Sequence, residues 1–432
     1  MKKHLVVISV DAMVQEDVPA FLEMPAAAAL FRKRLLVKQM QTVYPSLTHP
    51  VHASIITGQT CGQTRIIHNE RFDPYASPLA WYNALSDIRC ETLLHSAHRA
   101  GLKSGVARWP VTARGNDVID YLIPEVLDMD LAEGRTMQQA LIDGGAGPVW
   151  ETVARPNLDL LQCGNGRPGY DAFSAACAAS MIRTYQPDLL FTHWGMVDSA
   201  RHHHGLFGQA IIDALTFTDR WLGWIVEATR EAGTLDRTDF VVLSDHGQLA
   251  FCQKVRLNAL FAQHGLIQMD SQGRVRTYRA MAHSCGMSAQ IYLHDPSDEA
   301  LLEQVRRLAE DELSAQACTR FEVMSAREVD ERFGLRGKFS LVIETDGNTL
   351  FEDEICGPVF ERIKSNAPRS LYATHGHMPD KGPQPMLIAT GPSFSDKTLE
   401  TGNVLEIAPT LALILDIPMK KTPLPARSDW LA

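Results

Sequence analysis

No stretch of this chain approaches the roughly 18 to 20 consecutive apolar residues that a membrane-spanning helix needs, so no segment reads as a span. Its eight cysteines, at 61, 90, 163, 177, 252, 285, 318 and 356, include no Cys-x-x-Cys pair. That dispersal supports neither a disulfide framework nor a thiolate zinc site, and it reads as buried apolar residues. A basic excess is missing too, with 41 Lys and Arg against 51 Asp and Glu and a formal charge of −10. A nucleic-acid polymer is therefore not an expected partner. A phosphorylated small molecule stays open, because bound divalent cations can reverse the local sign. Internal repeats, low-complexity tracts and long charge runs are also absent, so nothing points to a repeat array.

What is present fits a soluble globular protein. Apolar residues make up 45% of the 432 and charged residues 21%. That length exceeds the size at which one core usually stops growing, so one large domain with an insertion, or two domains, is expected. Lys2 and Lys3 precede an apolar run, but the run is shorter than a signal-peptide core and lacks a small-residue cleavage site. Asp11 ends it instead, and a cytoplasmic location is the expectation.

Short β-branched runs alternate with helix-like stretches from the start: Leu5–Val10, a helix around Pro19–Lys33, Leu35–Tyr44, and a helix opening at Thr48. Glu91–Ala100, Tyr170–Tyr185 and Leu206–Glu231 read as helices; Lys103–Trp109, Leu189–His193 and Phe240–Ser244 read as strands. Such alternation predicts an α/β fold, a mostly parallel central sheet sandwiched by helices. The Gly- and Pro-containing region Ile119–Gly169 reads as surface loops or a lid. Beyond Asp245 the texture changes: Gln290–Leu293, Ser297–Leu313, Arg320–Val323 and Ser340–Glu344 read as a compact α+β piece. The expected division is a catalytic core of 1–250 and 365–432 with an inserted cap of 251–364. Leu371–Thr374 should resume the core, Met386–Thr390 add a late strand and Val404–Leu415 a final helix.

The chemistry gathers where apolar runs end. Asp11 closes the first run, Asp245-His246-Gly247 follows Asp239–Ser244, and Asp198 lies just past Asp188–Thr192. In open α/β sheets ligands bind beyond the carboxyl ends of the strands, which would bring these residues together. Asp198 and His202, at i and i+4, share one face of a helical turn, as a chelating pair requires; His203 and His204 leave the choice of histidine open on spacing alone. Thr374-His375-Gly376-His377 repeats the logic of the strand exit. Thr48 opens an apolar helical stretch ending at Thr57-Gly58, where the helix dipole favours an alkoxide or a phosphoryl anion, although threonine is also an ordinary N-cap. Three carboxylates and a Thr48 alkoxide carry four negative charges, which two divalent cations balance; without metal they would repel. The oxygen and nitrogen donors suit Zn²⁺ first, with Mn²⁺ or Fe²⁺ as alternatives.

Together these motifs resemble the alkaline phosphatase superfamily, most closely its nucleotide pyrophosphatase/phosphodiesterase branch. The Thr48 segment resembles that branch's nucleophile motif, and Ile66–Pro74 the segment whose asparagine, here Asn69, helps hold a non-bridging phosphate oxygen. Val197–His202 with Gly205 resembles its Asp-x-x-x-His motif, which selects His202. The resemblance implies one metal held by Asp198, His202 and His375, and another held by Asp11, Asp245, His246 and the Thr48 oxygen. Two departures stand out: His377 where the branch often has an aromatic residue, and His68 where an acid is common.

The expected activity is hydrolysis of a small phosphodiester or nucleotide pyrophosphate through a phospho-threonine at Thr48, with Asn69 and the Thr48 backbone N–H as oxyanion donors. A monoester dianion usually demands a cationic clamp, and no arginine directly follows Thr48; Arg65 and Arg108 are the nearest. A phosphonoacetate hydrolase-like enzyme ranks second, since Lys103 is the only lysine between Thr48 and Asp198. A phosphomonoesterase and a non-catalytic phospholigand binder are the remaining alternatives. Phosphoglycerate mutases and sulfatases use serine or a modified cysteine at the nucleophile position, so Thr48 speaks against both.

Overall fold

Every residue of His4–Val10 (β1) is buried, because helices cover both faces of the sheet in which it lies. The computed structural model describes residues 3–127, 130–131, 134–162, 168–317, 321–363 and 371–432. With Leu35–Gln41 (β2), Ser104–Ala107 (β3), Tyr121–Ile123 (β4), Leu189–Trp194 (β5), Thr238–Leu243 (β6), Leu387–Thr390 (β7) and Lys397–Asn403 (β8), β1 forms an eight-stranded sheet. Its order is β8-β2-β7-β6-β1-β5-β3-β4. Only β7 runs antiparallel to its neighbours; the other pairings are parallel.

Alternation decides which face each side chain serves. Leu5 and Val7 of β1 join Phe191 and Leu243 against Val51 and Ile55 of the Thr48–Thr57 helix and Leu411 of Ile407–Ile414. Val6, Ile8 and Val10 point the other way, into a cluster with Phe173 of Gly169–Tyr185 and Leu222 of Gln209–Glu231. Val7 and Ile8 are fully buried, each contributing about 1.5–3 kcal/mol of transfer free energy. Double burial is why these strands read as unbroken apolar runs.

Between the core segments lies an antiparallel sheet of Ala280–Ser284, Ser288–Leu293, Leu341–Glu344 and Glu322–Ser325, flanked by helices Glu299–Arg307 and Ala326–Phe333. A smaller sheet joins Gln253–Arg256, Thr349–Glu352 and Phe360–Arg362. Tyr292, Met324, Phe339 and Val342 pack into the same apolar cluster as the Thr48–Thr57 helix. The expected boundary at 364/365 lies outside the described residues.

Four details differ from the sequence expectation. The region 119–169 contributes β4 and a chain of α, π and 3-10 turns from Met137 to Gln162 rather than loops alone; Val149, Val153 and Ala154 bury against the core. The Pro19–Lys33 helix is two helices, Val18–Leu22 and Pro25–Leu30, because Pro25 cannot continue the first and instead starts the second. The core sheet does not resume at Leu371–Thr374: Ala373–Thr374 pairs with Leu249–Ala250 in a separate ribbon. β8 was not foreseen, since its sequence Lys-Thr-Leu-Glu-Thr-Gly-Asn carries one large apolar residue and lies at the sheet edge.

Candidate functional site

The parallel strands deliver their acids to one edge. Asp11 follows β1, Asp245 and His246 follow β6, and Asp198 stands in the first turn of Met196–His204, just past β5. One ligand atom each from Asp11, Asp245 and His246 lies within 4.8 Å of the others, and the same holds for Asp198, His246 and His375. His246 Nε2 is 3.3 Å from Asp245 Oδ2, 3.5 Å from Asp11 Oδ1 and 3.4 Å from Thr48 Oγ1. His202 Nε2 lies 3.3 Å and His375 Nε2 3.9 Å from Asp198 Oδ1. The His246 and His375 rings stack at 4.1 Å, so the two clusters adjoin. All seven expected ligating residues are thus gathered at one place, with His246 in both clusters.

Two of the three imidazoles are held in a defined tautomer. His246 Nδ1–H donates to the Gly247 carbonyl at 3.2 Å and His202 Nδ1–H to the Ala373 carbonyl at 2.7 Å, which turns both Nε2 lone pairs inward. Burial, with His246 and His202 adding to it, holds His375 well below the usual imidazole range, so it is neutral. Burial alone would raise the Asp198 carboxyl, but His202, His375 and His246 outweigh it and hold it well below the carboxylate range. Asp245 Oδ2 and His375 Nδ1 are buried without a hydrogen-bond partner. Carboxylate oxygens and imidazole nitrogens converging with unsatisfied buried atoms fit divalent cations. The donor set would hold them at Asp198, His202 and His375, and at Asp11, Asp245, His246 and Thr48.

Thr48 is the first residue of a ten-residue helix, and the backbone N–H of His49 donates to Asn69 Oδ1 at 2.9 Å. With that oxygen engaged, the Asn69 amide nitrogen is the group left to donate to a substrate oxygen. The loop before Thr48 is sewn to the His375 loop: Gly376 N–H donates to the Ser46 carbonyl at 3.0 Å, and Ser46 Oγ donates to the His377 carbonyl at 2.9 Å.

Several supporting residues escaped the sequence reading. Gln248 Nε2 donates to Asp198 Oδ1 at 2.6 Å. His52 Nδ1–H donates to the Thr48 carbonyl at 2.7 Å while Nε2 accepts from Ser9 Oγ at 2.8 Å; its i+4 spacing from Thr48 was the available signal. His193 Nε2 is 3.2 Å from Asp11 Oδ2. Buried Arg201 donates to the Ala12 carbonyl at 3.0 Å and pairs with Asp17, locking the Asp198 helix to the Asp11 loop. His49 Nε2 sits 3.2 Å from Glu125 Oε2, both buried, with Trp81 edge-on at 5.0 Å.

Glu344 ties the site to the inserted sheet. Fully buried, it accepts from the Met378 N–H at 3.0 Å, Lys381 Nζ at 2.9 Å and the Tyr44 hydroxyl at 2.9 Å, joining the chain before Thr48 to the chain after His375. Burial pushes its carboxyl up to about 7, with Lys381 opposing.

Of the cations considered for other chemistries, Arg108 alone follows a strand at the edge that carries the ligating acids. Lys103 stands before β3, at the amino end of that strand, and pairs with Asp120 at 2.7 Å. Arg65 is exposed, and Arg108 lies 3.5 Å from Asp171 and 5.0 Å from the Tyr170 ring centroid.

Against this geometry stand the comparisons with known proteins. Residues 5–364 match the family model for type I phosphodiesterase / nucleotide pyrophosphatase. Ectonucleotide pyrophosphatase/phosphodiesterase family member 1 of mouse is 25% identical over 240 residues, 54% of this chain and 22% of the relative. Human family member 5 is 23% identical over 229 residues, 51% of this chain and 40% of the relative. The aligned part thus spans well under half the length of these relatives. Solved murine ectonucleotide pyrophosphatase / phosphodiesterase 5 superposes with a TM-score of 0.67 over 100% of both chains at 18% identity, which establishes a shared fold. An inactive threonine-to-alanine variant of that murine protein, solved in complex with AMP, superposes with a TM-score of 0.66 and covers both chains completely at 18% identity.

Proposed function

We propose, from the premise that this chain belongs to the type I phosphodiesterase / nucleotide pyrophosphatase family, that it hydrolyses small phosphodiesters or nucleotide pyrophosphates, with Thr48 as nucleophile. The observation that carries this is Thr48 Oγ1 at a helix start, 3.4 Å from His246 Nε2 and beside the Asn69 amide. Two divalent cations, Zn²⁺ in the first instance, would supply Lewis-acid charge to the attacking and leaving oxygens. The residues of the chain do the remainder. Thr48 Oγ1 attacks phosphorus in line and the leaving alcohol or phosphate departs. Water then hydrolyses the phosphoryl-threonine ester. The Asn69 amide and the Thr48 backbone N–H, at the positive helix end, stabilise the phosphoryl oxygens. AMP in the murine neighbour supports a nucleotide-type substrate.

The same proposal assigns metal binding to Asp11, Thr48, Asp198, His202, Asp245, His246 and His375, and treats 251–364 as a cap on a core of 1–250 and 365–432. A cytoplasmic location belongs to it as well, supported by free thiols at Cys61, Cys177 and Cys285 inside the protein. The phosphonate alternative loses support because Lys103 is paired at the strand end remote from Thr48. The monoester alternative loses support because its candidate arginines are engaged or exposed: Arg108 pairs with Asp171 and lies over the Tyr170 ring, and Arg65 is exposed.

The test compares turnover of bis-p-nitrophenyl phosphate with that of p-nitrophenyl phosphate by the purified, metal-loaded protein. The diester is expected to be cleaved with the higher kcat/KM. A large preference for the monoester would overturn the choice.

A further inference from the structure

Although the chain is acidic overall, four cationic side chains collect at one seam between core and insertion. There a cavity of about 790 Å³ opens, within the range of sites for drug-sized ligands, and none of the seven residues gathered around Thr48 and Asp198 lines it. Arg65 and Arg71 come from the core side, Arg336 and Lys338 from the inserted segment, and Glu70 is the one acid in the wall. Arg71 is neutralised by Asp87 and Arg336 by Asp330. Arg65 and Lys338 have no acidic partner among the described residues. Arg65 and Arg336 also border an adjoining cavity of about 460 Å³ that Arg89 and Lys421 line, with Lys420 there paired to Glu91 at 3.3 Å. A cleft lined by one sign of charge concentrates ligands of the other sign.

The second observation is aromatic. Phe72 and Tyr292 stack at 3.8 Å with their planes 7° apart, and Tyr278 and Tyr82 complete the wall. Arg71 lies 4.2 Å over the Tyr82 ring. Aromatic surface beside unneutralised guanidinium and ammonium groups matches a ligand that is itself an apolar ring bearing an anion. A bare phosphate would use the cations and leave the rings idle, and a neutral nucleoside would do the reverse.

From this juxtaposition we infer that the seam cavity is a binding site for a nucleoside phosphate, separate from the Thr48 cluster. Its wall runs through Ile67, Glu70, Arg71 and Phe72, the loop that carries Asn69, so an occupant rests against the segment that presents the phosphoryl-oxygen donor. The site belongs to the folded chain and does not depend on hydrolysis.

Calorimetric titration of the full-length, metal-loaded protein with AMP, adenosine and inorganic phosphate tests it. AMP is expected to bind at a site whose affinity falls at least tenfold in the Arg65→Glu/Lys338→Glu double variant and in Tyr278→Ala, with adenosine and inorganic phosphate each at least tenfold weaker than AMP. Both charged positions are exposed and unpaired, so the double variant should keep its melting temperature and its turnover of bis-p-nitrophenyl phosphate. AMP affinity unchanged by the charge reversal would overturn the inference, because all AMP would then be held at the metal cluster. Inorganic phosphate binding as tightly as AMP would overturn it as well. Failure of the enzyme to cleave the diester would instead count against the hydrolase reading and leave these affinities to decide the seam site.

Discussion

Thr48 and Asp245 illustrate how little a single residue says and how much its surroundings add. Threonine at a helix start is commonplace, but here its hydroxyl lies 3.4 Å from an imidazole that two carboxylates flank. Replacing Thr48 by alanine should lower kcat/KM for bis-p-nitrophenyl phosphate by on the order of 10³-fold or more, while inductively coupled plasma analysis finds most of the metal still bound. Turnover within tenfold of wild type would remove Thr48 as nucleophile. Glu344 gives a second prediction at this scale. Its folded carboxyl titrates at about 7 against an ordinary 4.5, so the folded protein holds this proton where the unfolded chain has lost it. The stabilisation is complete below about pH 4.5 and is lost as pH rises through 7. Glutamine cannot ionise, so Glu344→Gln should gain on wild type by on the order of 3 kcal/mol between pH 4.5 and 8, read from urea melts at the two ends. A difference that does not change with pH would contradict the assignment.

At the scale of elements, what sequence made legible follows from burial. β1, β5 and β6 are buried on both faces and end within four residues of a ligating residue, so both their strand character and their chemistry stood in the residue pattern. At the His375 ribbon the ligand was legible but the pairing was not, because two paired residues, Ala373–Thr374, are too short for any periodicity. Likewise β8 draws its strand state from pairing with β2 rather than from its own polar residues. Neither Gln248 nor His193 could be assigned in advance, since their roles depend on contacts with residues 50 and 182 positions away. Gly376 was legible only as a glycine beside a ligand; the structure gives the reason for it. It holds φ +92°, and an added Cβ would fall 1.7 Å from the Cys285 carbonyl oxygen. Gly376→Ala must displace the loop that carries His375, so it should cost at least about 1–3 kcal/mol in stability and lower metal content and diester turnover together. Full metal occupancy in that variant would show that the loop can relax without moving its ligand.

For the molecule as a whole, the inserted segment shares an apolar cluster with the helix that begins at Thr48, and Glu344 bonds it to both loops of the site. Metal removal should therefore be felt beyond the site. With the cations gone, Asp11, Asp198 and Asp245 lose their counter-charge at close quarters, and ligand-linked stability is lost with them. Chelator treatment is expected to abolish diester turnover and lower the melting temperature by several degrees, both restored by Zn²⁺. Activity persisting in the metal-free protein would exclude a metal-dependent reaction. The most direct measurement is anomalous diffraction from crystals of the metal-loaded protein. Two peaks are expected, one among Asp198, His202 and His375 and the other among Asp11, Thr48, Asp245 and His246; a single peak, or peaks away from these side chains, would contradict the account.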